Sequence, residues 1–224
     1  MIKAIGLILA VLWGGLCQAA EFSVIRQYAY PLIIMNSNNS QHIASPVGSG
    51  TMVMISDGYA LTAGHVVPTS SNNVMVAIVG DKIVKVVPVK IDRVQDIALL
   101  SVQIQCPCAP LASRAPQLDD TVHMVGHPLT LSYGVQFVTS GTFQGYFNGV
   151  AVTTTLTAPG GSGGGVFMKQ NGAYVLTGLT IAIGSDGSDK SLLSNTTQYD
   201  WVVFSVTTLK IVEFLKGTNA IPIK

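Results

Sequence analysis

Short runs of β-branched and apolar residues fill most of the sequence between residues 51 and 183, and Gly, Asn and Asp separate them. Many short strands divided by turn residues are typical of β-sandwiches and β-barrels. Each run is too short for a helix of normal length, so the pattern restricts this region to an all-β fold. The predicted strands are 51–55, 74–79, 83–91, 97–102, 121–125, 135–139, 150–156 and 174–183.

The stretch 207–215 differs, because its apolar residues have helical spacing. They are Leu209, Ile211, Val212 and Leu215, and Gly217 follows as a stop signal. We therefore predict one C-terminal helix on an all-β body. A proline-rich join between residues 106 and 116 interrupts the strand pattern and divides the chain into two halves, 21–110 and 111–224.

The first twenty residues have the order of a secretory signal peptide. Lys3 gives a basic start, an apolar run covers 4–16, and small residues follow up to Ala20. We predict a signal peptide over 1–20, cleaved after Ala19 or Ala20, with no membrane span in the mature chain. An uncleaved anchor and a lipid anchor on Cys17 are the alternatives. Export predicts a periplasmic or extracellular protein.

Composition excludes several classes of function. The chain has 48% hydrophobic and 10% charged residues with a net charge of +1, and it has no run of Lys or Arg. It can bury a large core but predicts no nucleic-acid surface. Cys106 and Cys108 can form a strained disulfide after export or remain thiols. Without a second ligand cluster they do not predict a zinc site, and we expect neither metal nor cofactor.

Ser162 lies within a glycine-rich segment, 158–165. Such a serine belongs either to a flexible loop or to a nucleophile whose neighbours form an oxyanion hole. An oxyanion hole needs two backbone N–H groups that converge on one point, and glycine leaves room for them. Gly160 and Ser162 are the predicted donors. Five glycines also predict a loop that becomes fully ordered only with substrate.

A serine nucleophile needs a base that works near neutral pH, and histidine is the usual one. Of the four histidines, His65 ends an apolar strand and begins a turn, where its side chain can face a cleft. The other three are interpreted differently: His42 as solvated, His123 as packed in a strand, and His127, which precedes a proline, as structural.

Asp96 stands immediately before the apolar run 97–100. A carboxylate buried without a partner is costly, so we expect Asp96 to be paired. A catalytic histidine needs a carboxylate to fix its tautomer, and Asp96 suits that role. The alternative is a turn residue that caps the strand.

The order of these three segments resembles the trypsin-like serine proteases. The segments are 62–65 for the histidine, 96–100 for the aspartate and 160–164 for the serine. A closer likeness is to the bacterial HtrA/Deg branch, carried by 125–128, 138–141 and 177–183. The resemblance covers about residues 45 to 215 and does not extend to the PDZ domain that HtrA proteins usually carry.

The resemblance implies two six-stranded antiparallel β-barrels, one from each half, with a C-terminal helix. His65 and Asp96 would come from the first barrel and Ser162 from the second. Ser162 would attack a peptide carbonyl while His65 transfers the proton and Asp96 orients His65. The implied partners are protein or peptide substrates, and a homo-oligomer stays open.

The resemblance also implies a primary specificity pocket without a charged residue, which favours a small or medium aliphatic side chain before the cut. Its residues would be Leu156, Thr157, Thr180, Ile181, Ala182 and Ile183. Three rival interpretations remain: an inactive relative that acts as a binding or chaperone module, an esterase with the same triad, and a processing protease encoded by a virus or phage.

Overall fold

The structure is a computed structural model that describes residues 22–36, 45–105, 107–128, 135–183 and 202–220. The predicted signal peptide, His42 and Cys106 lie outside these residues. The two alternatives for Cys106 and Cys108, a strained disulfide or two thiols, therefore both stay open. No helix among the described residues is long and apolar enough to cross a membrane.

Six antiparallel strands form a closed barrel in the first half of the chain, in the order β1-β2-β3-β6-β5-β4. Alternate residues of β2 point to opposite sides, yet both sides are buried. Met52 and Met54 pack in the core inside this barrel, while Val53 and Ile55 pack in the core shared with the second half. The strands are β1 Ala29–Asn36, β2 Ser45–Ser56, β3 Tyr59–Ala63, β4 Asn73–Val79, β5 Lys82–Asp92 and β6 Ile97–Val102.

A second closed barrel follows, in the order β10-β11-β12-β9-β8-β7, which is the same cyclic connectivity as the first. Its strands are β7 Thr121–Gly126, β8 Phe137–Phe147, β9 Val150–Thr153, β10 Gly165–Gln170, β11 Ala173–Ile183 and β12 Val203–Thr207. The predicted all-β fold of two six-stranded antiparallel barrels is confirmed.

One apolar core joins the two barrels. It includes Leu61 and Leu99 from the first barrel and Phe167 and Leu179 from the second, all fully buried. Burial of this apolar surface fixes the barrels against each other, because separating them would expose these side chains to water. The aspartate loop contacts the histidine turn, and the serine loop contacts β2 of the first barrel.

The predicted C-terminal helix is confirmed and spans Thr208–Leu215, with the Thr207 hydroxyl accepting from the Lys210 N–H at its start. The residues on its buried face differ from the four apolar residues whose spacing predicted the helix. Ile211, Phe214 and Leu215 pack in the shared core, whereas Leu209 and Val212 are exposed. The helix is anchored by residues spaced three and four apart, which lie on one face.

Every strand predicted from the sequence overlaps an observed strand, but several elements were missed. The short helix at residues 22–26 and strands β1, β10 and β12 were not predicted. The start of β10 was taken as part of the glycine-rich loop, because Gly165 continues that run. Gly165 pairs with Val125 of β7 and with Leu179 of β11, and both partners are distant in the sequence, so local residues do not show where the strand starts.

Candidate active site

His65 lies in a single turn of 3-10 helix, Gly64–Val66, directly after β3. The Asp96 carboxylate contacts it at two points. Asp96 Oδ2 lies 2.7 Å from His65 Nδ1, and Asp96 Oδ1 accepts from the His65 backbone N–H at 2.6 Å. An ionised carboxylate only accepts hydrogen bonds, so Nδ1 must carry the ring proton. The neutral ring then keeps Nε2 as its basic nitrogen.

Asp96 reaches this position because the chain turns sharply before β6. The Asp92 carboxylate oxygen accepts from the N–H groups of Val94 and Gln95, both at 2.9 Å, which closes the turn. Asp96 itself has a φ of 54°, in the left-handed region that aspartate tolerates better than most residues. The strained backbone directs the carboxylate back toward the histidine turn.

Arg93 also attaches the aspartate loop to the histidine turn. Its Nη1 donates to the Gly64 carbonyl, and its Nη2 donates to the Val67 carbonyl at 2.8 Å. The planar guanidinium suits this pair of acceptors, since its donors have a fixed fork geometry. Arg93 thus holds both ends of the turn that carries His65. Sequence reasoning missed it, because a lone arginine in a turn gives no signal of a buried backbone acceptor.

The serine loop begins with a tight turn. The Gly161 N–H donates to the Ala158 carbonyl at 2.9 Å, and Gly160 has a φ of 93°. Pro159 is the second residue of this turn, and its ring excludes a positive φ there. A positive φ at the third position alone defines a type II turn, for which Pro followed by Gly is the favoured pair.

Three backbone N–H groups of the serine loop are used within the fold. Those of Gly161, Gly163 and Gly164 donate to the carbonyls of Ala158, Thr180 and Gly161, at 2.9, 2.7 and 2.9 Å. Within the described residues, the structure records no acceptor for the N–H groups of Gly160 and Ser162. The two groups left over are the pair that the sequence predicted as oxyanion donors.

The glycines of this loop allow close packing against the first barrel. The expectation that the loop becomes fully ordered only with substrate stays a prediction. A Cβ atom on Gly163 would lie 2.2 Å from both the Thr51 carbonyl oxygen and the Thr62 hydroxyl. Its φ of 83° is also unfavourable for other residues. Because no side chain separates them, the loop packs directly against β2 and β3, and its backbone is hydrogen-bonded there.

Ser162 is joined to the first barrel through its carbonyl, which accepts from the Thr51 N–H at 2.8 Å. Within the described residues, the structure records no hydrogen bond between the side chains of Ser162 and His65. Catalytic hydrogen bonds of this kind are often long or poorly aligned until substrate binds. The loop and the histidine turn are nevertheless fixed to neighbouring strands of one barrel.

The predicted pocket residues do not form a uniform group. Leu156 and Ala182 are exposed, while Ile181 packs against the shared core and against the core inside the first barrel. The hydroxyls of Thr157 and Thr180 are buried without a recorded partner in the described part of the chain. Ile183 is the last residue of β11. The assignment of these six residues to a specificity pocket stays a prediction.

The other two described histidines are buried. The His123 Nδ1 lies 2.8 Å from the Ser140 hydroxyl, as expected for a packed residue. His127 Nε2 lies 3.2 Å from the Ala29 carbonyl oxygen. Among the described residues, no group of three or more His, Cys, Asp or Glu side chains is arranged to hold a metal ion.

A family model of the trypsin-like peptidase domain matches residues 48–176, more than half of the chain. The chain belongs to the trypsin-like peptidase family. The matched region includes His65, Asp96 and Ser162, and family membership confirms the resemblance found in the sequence. Since this family consists of peptidases that share the double barrel, protein hydrolysis is the activity to consider first.

Among solved structures, this trypsin-like domain is similar to the serine endoprotease from Yersinia pestis, with a TM-score of 0.68 and 20% identity. The similarity covers 89% of this chain and 65% of that one, so the chain spans about two thirds of that protein's length. At this identity the likeness shows the fold alone. No curated protein sequence is significantly similar to the chain.

Burial of His127 predicts a pH dependence of stability for this trypsin-like domain. Desolvation lowers the pKa of the imidazole below its ordinary value. The hydrogen bond to the Ala29 carbonyl opposes this with a smaller effect, and the positive charge of Arg26 adds a still smaller lowering. The unfolded chain then binds more protons than the native one just below the ordinary pKa of about 6.5. The free energy of unfolding should therefore fall as the pH drops through that value.

The measurement is denaturant unfolding at a series of pH values from neutral to mildly acidic. We expect His127→Asn to remove this part of the pH dependence, because asparagine does not titrate there. Asp120 also has a lowered pKa, mainly from the Gln117 N–H, so a further loss in stronger acid should remain in both proteins. Equal pH dependence of the variant and the wild type near pH 6.5 would contradict the assignment to His127.

Proposed function

We propose that the chain is a serine endopeptidase, with Ser162 as nucleophile, His65 as general base and Asp96 as the residue that orients His65. The observation that carries this proposal is the two-point attachment of His65 to Asp96, at 2.7 and 2.6 Å. A single hydrogen bond would let the imidazole tilt, whereas two bonds fix both the turn and the ring. This arrangement is the one that activates a serine in peptidases.

In the first step, the Ser162 hydroxyl attacks the carbonyl carbon of a peptide bond and its proton passes to His65 Nε2. The carbonyl oxygen becomes negatively charged and is stabilised by the N–H groups of Gly160 and Ser162. The C–N bond then breaks as His65 returns the proton to the leaving amine. Water, activated in the same way by His65, hydrolyses the acyl-enzyme and regenerates Ser162.

The side-chain exposures fit this role. His65 has 50% of its side chain exposed and Asp96 has 23%. A base must be reached by substrate, while its orienting carboxylate works best when it is partly shielded from water. Both conditions hold for this pair.

The reactivity of the proposed nucleophile can be tested directly. The protein should react covalently with a fluorophosphonate probe, and Ser162→Ala and His65→Ala should abolish labelling. Asp96→Asn should keep the fold but lower peptidase activity strongly, by roughly 10⁴-fold, because the wrong histidine tautomer is then favoured. Gel fluorescence and peptide hydrolysis are the measurements, and the exposed Ser113→Ala is the matched control that should label normally.

Absence of labelling in a folded wild type would favour a second candidate function, an inactive binding module. The lack of a recorded Ser162–His65 hydrogen bond is the one observation on its side. Labelling that persists in Ser162→Ala would place the reactive group elsewhere and end the proposal.

We also propose a preference for a small or medium aliphatic residue before the scissile bond. Its support is that none of the residues assigned to the pocket by resemblance is charged. Cleavage of a proteome-derived peptide library, read by mass spectrometry, should show Ala, Val, Leu or Ile at that position. A preference for Lys or Arg would contradict it. A preference for Gln, Asn, Ser or Thr would instead indicate that the buried Thr157 and Thr180 hydroxyls bind the side chain.

We further propose that the peptidase is exported, on the strength of the leader pattern in residues 1–20. Expressed with its own N-terminus in a bacterial host, the protein should be recovered from the periplasm or the medium. Its first residue should be Ala20 or Glu21, as determined by mass spectrometry of the intact protein. Recovery of a chain that still begins at Met1 would contradict cleavage and favour an anchor.

A further inference from the structure

Thr51 lies within β2 of the first barrel, is fully buried, and is hydrogen-bonded to the serine loop of the second barrel. We propose that Thr51 is a positioning residue whose hydroxyl holds the oxyanion loop in its working conformation. The inference rests on the proposed function, since it assigns a role to the N–H groups of Gly160 and Ser162. Thr51 itself is fully buried and does not touch substrate.

The Thr51 hydroxyl links two separate segments of the second barrel. It accepts from the backbone N–H of His127 at 2.8 Å, just after β7, and donates to the Gly160 carbonyl at 3.0 Å. One lone pair of the hydroxyl oxygen accepts from the His127 N–H, and the hydroxyl proton donates to the Gly160 carbonyl. Hydrogen bonds in such a chain polarise and strengthen one another in a buried site.

The backbone of Thr51 contacts the same loop a second time, through its N–H bond to the Ser162 carbonyl at 2.8 Å. Thr51 therefore bonds to the carbonyls of Gly160 and Ser162, the two residues whose own N–H groups are left for the substrate. In Gly160 and in Ser162, the carbonyl that Thr51 binds and the residue's own N–H group flank the same Cα atom. Fixing the carbonyl limits the rotation that would turn the N–H group away.

The side chain matters most at Gly160, because the type II turn there can convert to another turn by rotation of one peptide unit. Glycine at 160 accepts either sign of φ, so its own chemistry does not select the conformation. The hydroxyl bond to the Gly160 carbonyl supplies a restraint next to that peptide.

Thr51 is in turn held by Thr62 of β3, whose hydroxyl donates to the Thr51 carbonyl at 2.7 Å. Thr62 stands three residues before His65 on the strand that leads to the histidine turn. Through Thr51 and Thr62, the serine loop is thus hydrogen-bonded to the strand that leads to His65. A displacement of Thr51 would misplace the oxyanion donors relative to His65, and small misplacements cost large factors in rate.

The test replaces Thr51 by valine, which keeps the branched shape and strand preference but lacks the hydroxyl. We expect Thr51→Val to lower kcat by about tenfold or more, while staying below the 10²–10³-fold that loss of a whole oxyanion donor costs. KM should change little, because the hole acts mainly on the transition state. Thr51→Ser keeps the hydroxyl and should restore most of the activity.

Two further measurements separate positioning from a merely structural role. The inhibition constant of a peptide boronate, which mimics the tetrahedral intermediate, should weaken in Thr51→Val by the same factor as kcat/KM. The acid limb of the pH–rate profile should not move, since the pair of His65 and Asp96 is untouched. Thr177→Val is the matched control, because Thr177 is also buried but its hydroxyl has no recorded partner among the described residues.

The inference is overturned if Thr51→Val keeps full kcat, if Thr51→Ser is as impaired as valine, or if Thr177→Val loses as much activity. Should the wild type prove inactive, the proposed function fails by itself, and amide exchange decides the role of Thr51. The amides of Gly161, Gly163 and Gly164 should then exchange faster in Thr51→Val than in Thr51→Ser, and equal rates would refute the role.

Discussion

The hydrogen bond between the Thr51 N–H and the Ser162 carbonyl, 2.8 Å long, joins a strand of one barrel to the serine loop of the other. Everything assembled at the candidate site depends on this approach of two backbones. The shared apolar core holds the two barrels against each other and so keeps these two backbones within hydrogen-bond distance. It also requires a loop without side chains, since a Cβ on Gly163 would overlap the Thr51 carbonyl and the Thr62 hydroxyl.

The two halves of the site are held by different physical means. On the first barrel, charged side chains fix His65: Asp96 bonds to its ring and backbone, and Arg93 bonds to the carbonyls on either side of it. On the second barrel, the serine loop is held by neutral hydrogen bonds to Thr180 and Thr51. These bonds bring no anionic group to the loop that would compete with the negative charge of the proposed intermediate.

Much of the fold was predictable. Short β-branched runs gave an all-β body, and the apolar spacing near the end gave a helix, because both signals are local. The boundaries of β10 and the buried face of the helix were not predictable in the same way. Gly165 has no β preference, and it belongs to the strand because Val125 of β7 and Leu179 of β11 pair with it on either side. Likewise, only the shared core determines that Ile211, Phe214 and Leu215 face inward.

For the candidate site, the sequence by itself determined which residues are the candidates for catalysis: His65, Asp96 and Ser162, and the glycines beside the serine. Residue type and short-range spacing decide whether a group can act as base, acid or nucleophile, and both can be read directly from the sequence. Only the tertiary structure decided the contacts of Thr51 and Arg93 with distant backbone carbonyls, and the burial of the Thr157 and Thr180 hydroxyls. These roles depend on which surfaces meet when the two barrels pack, and a threonine or an arginine looks the same in the sequence whether or not a carbonyl lies opposite it.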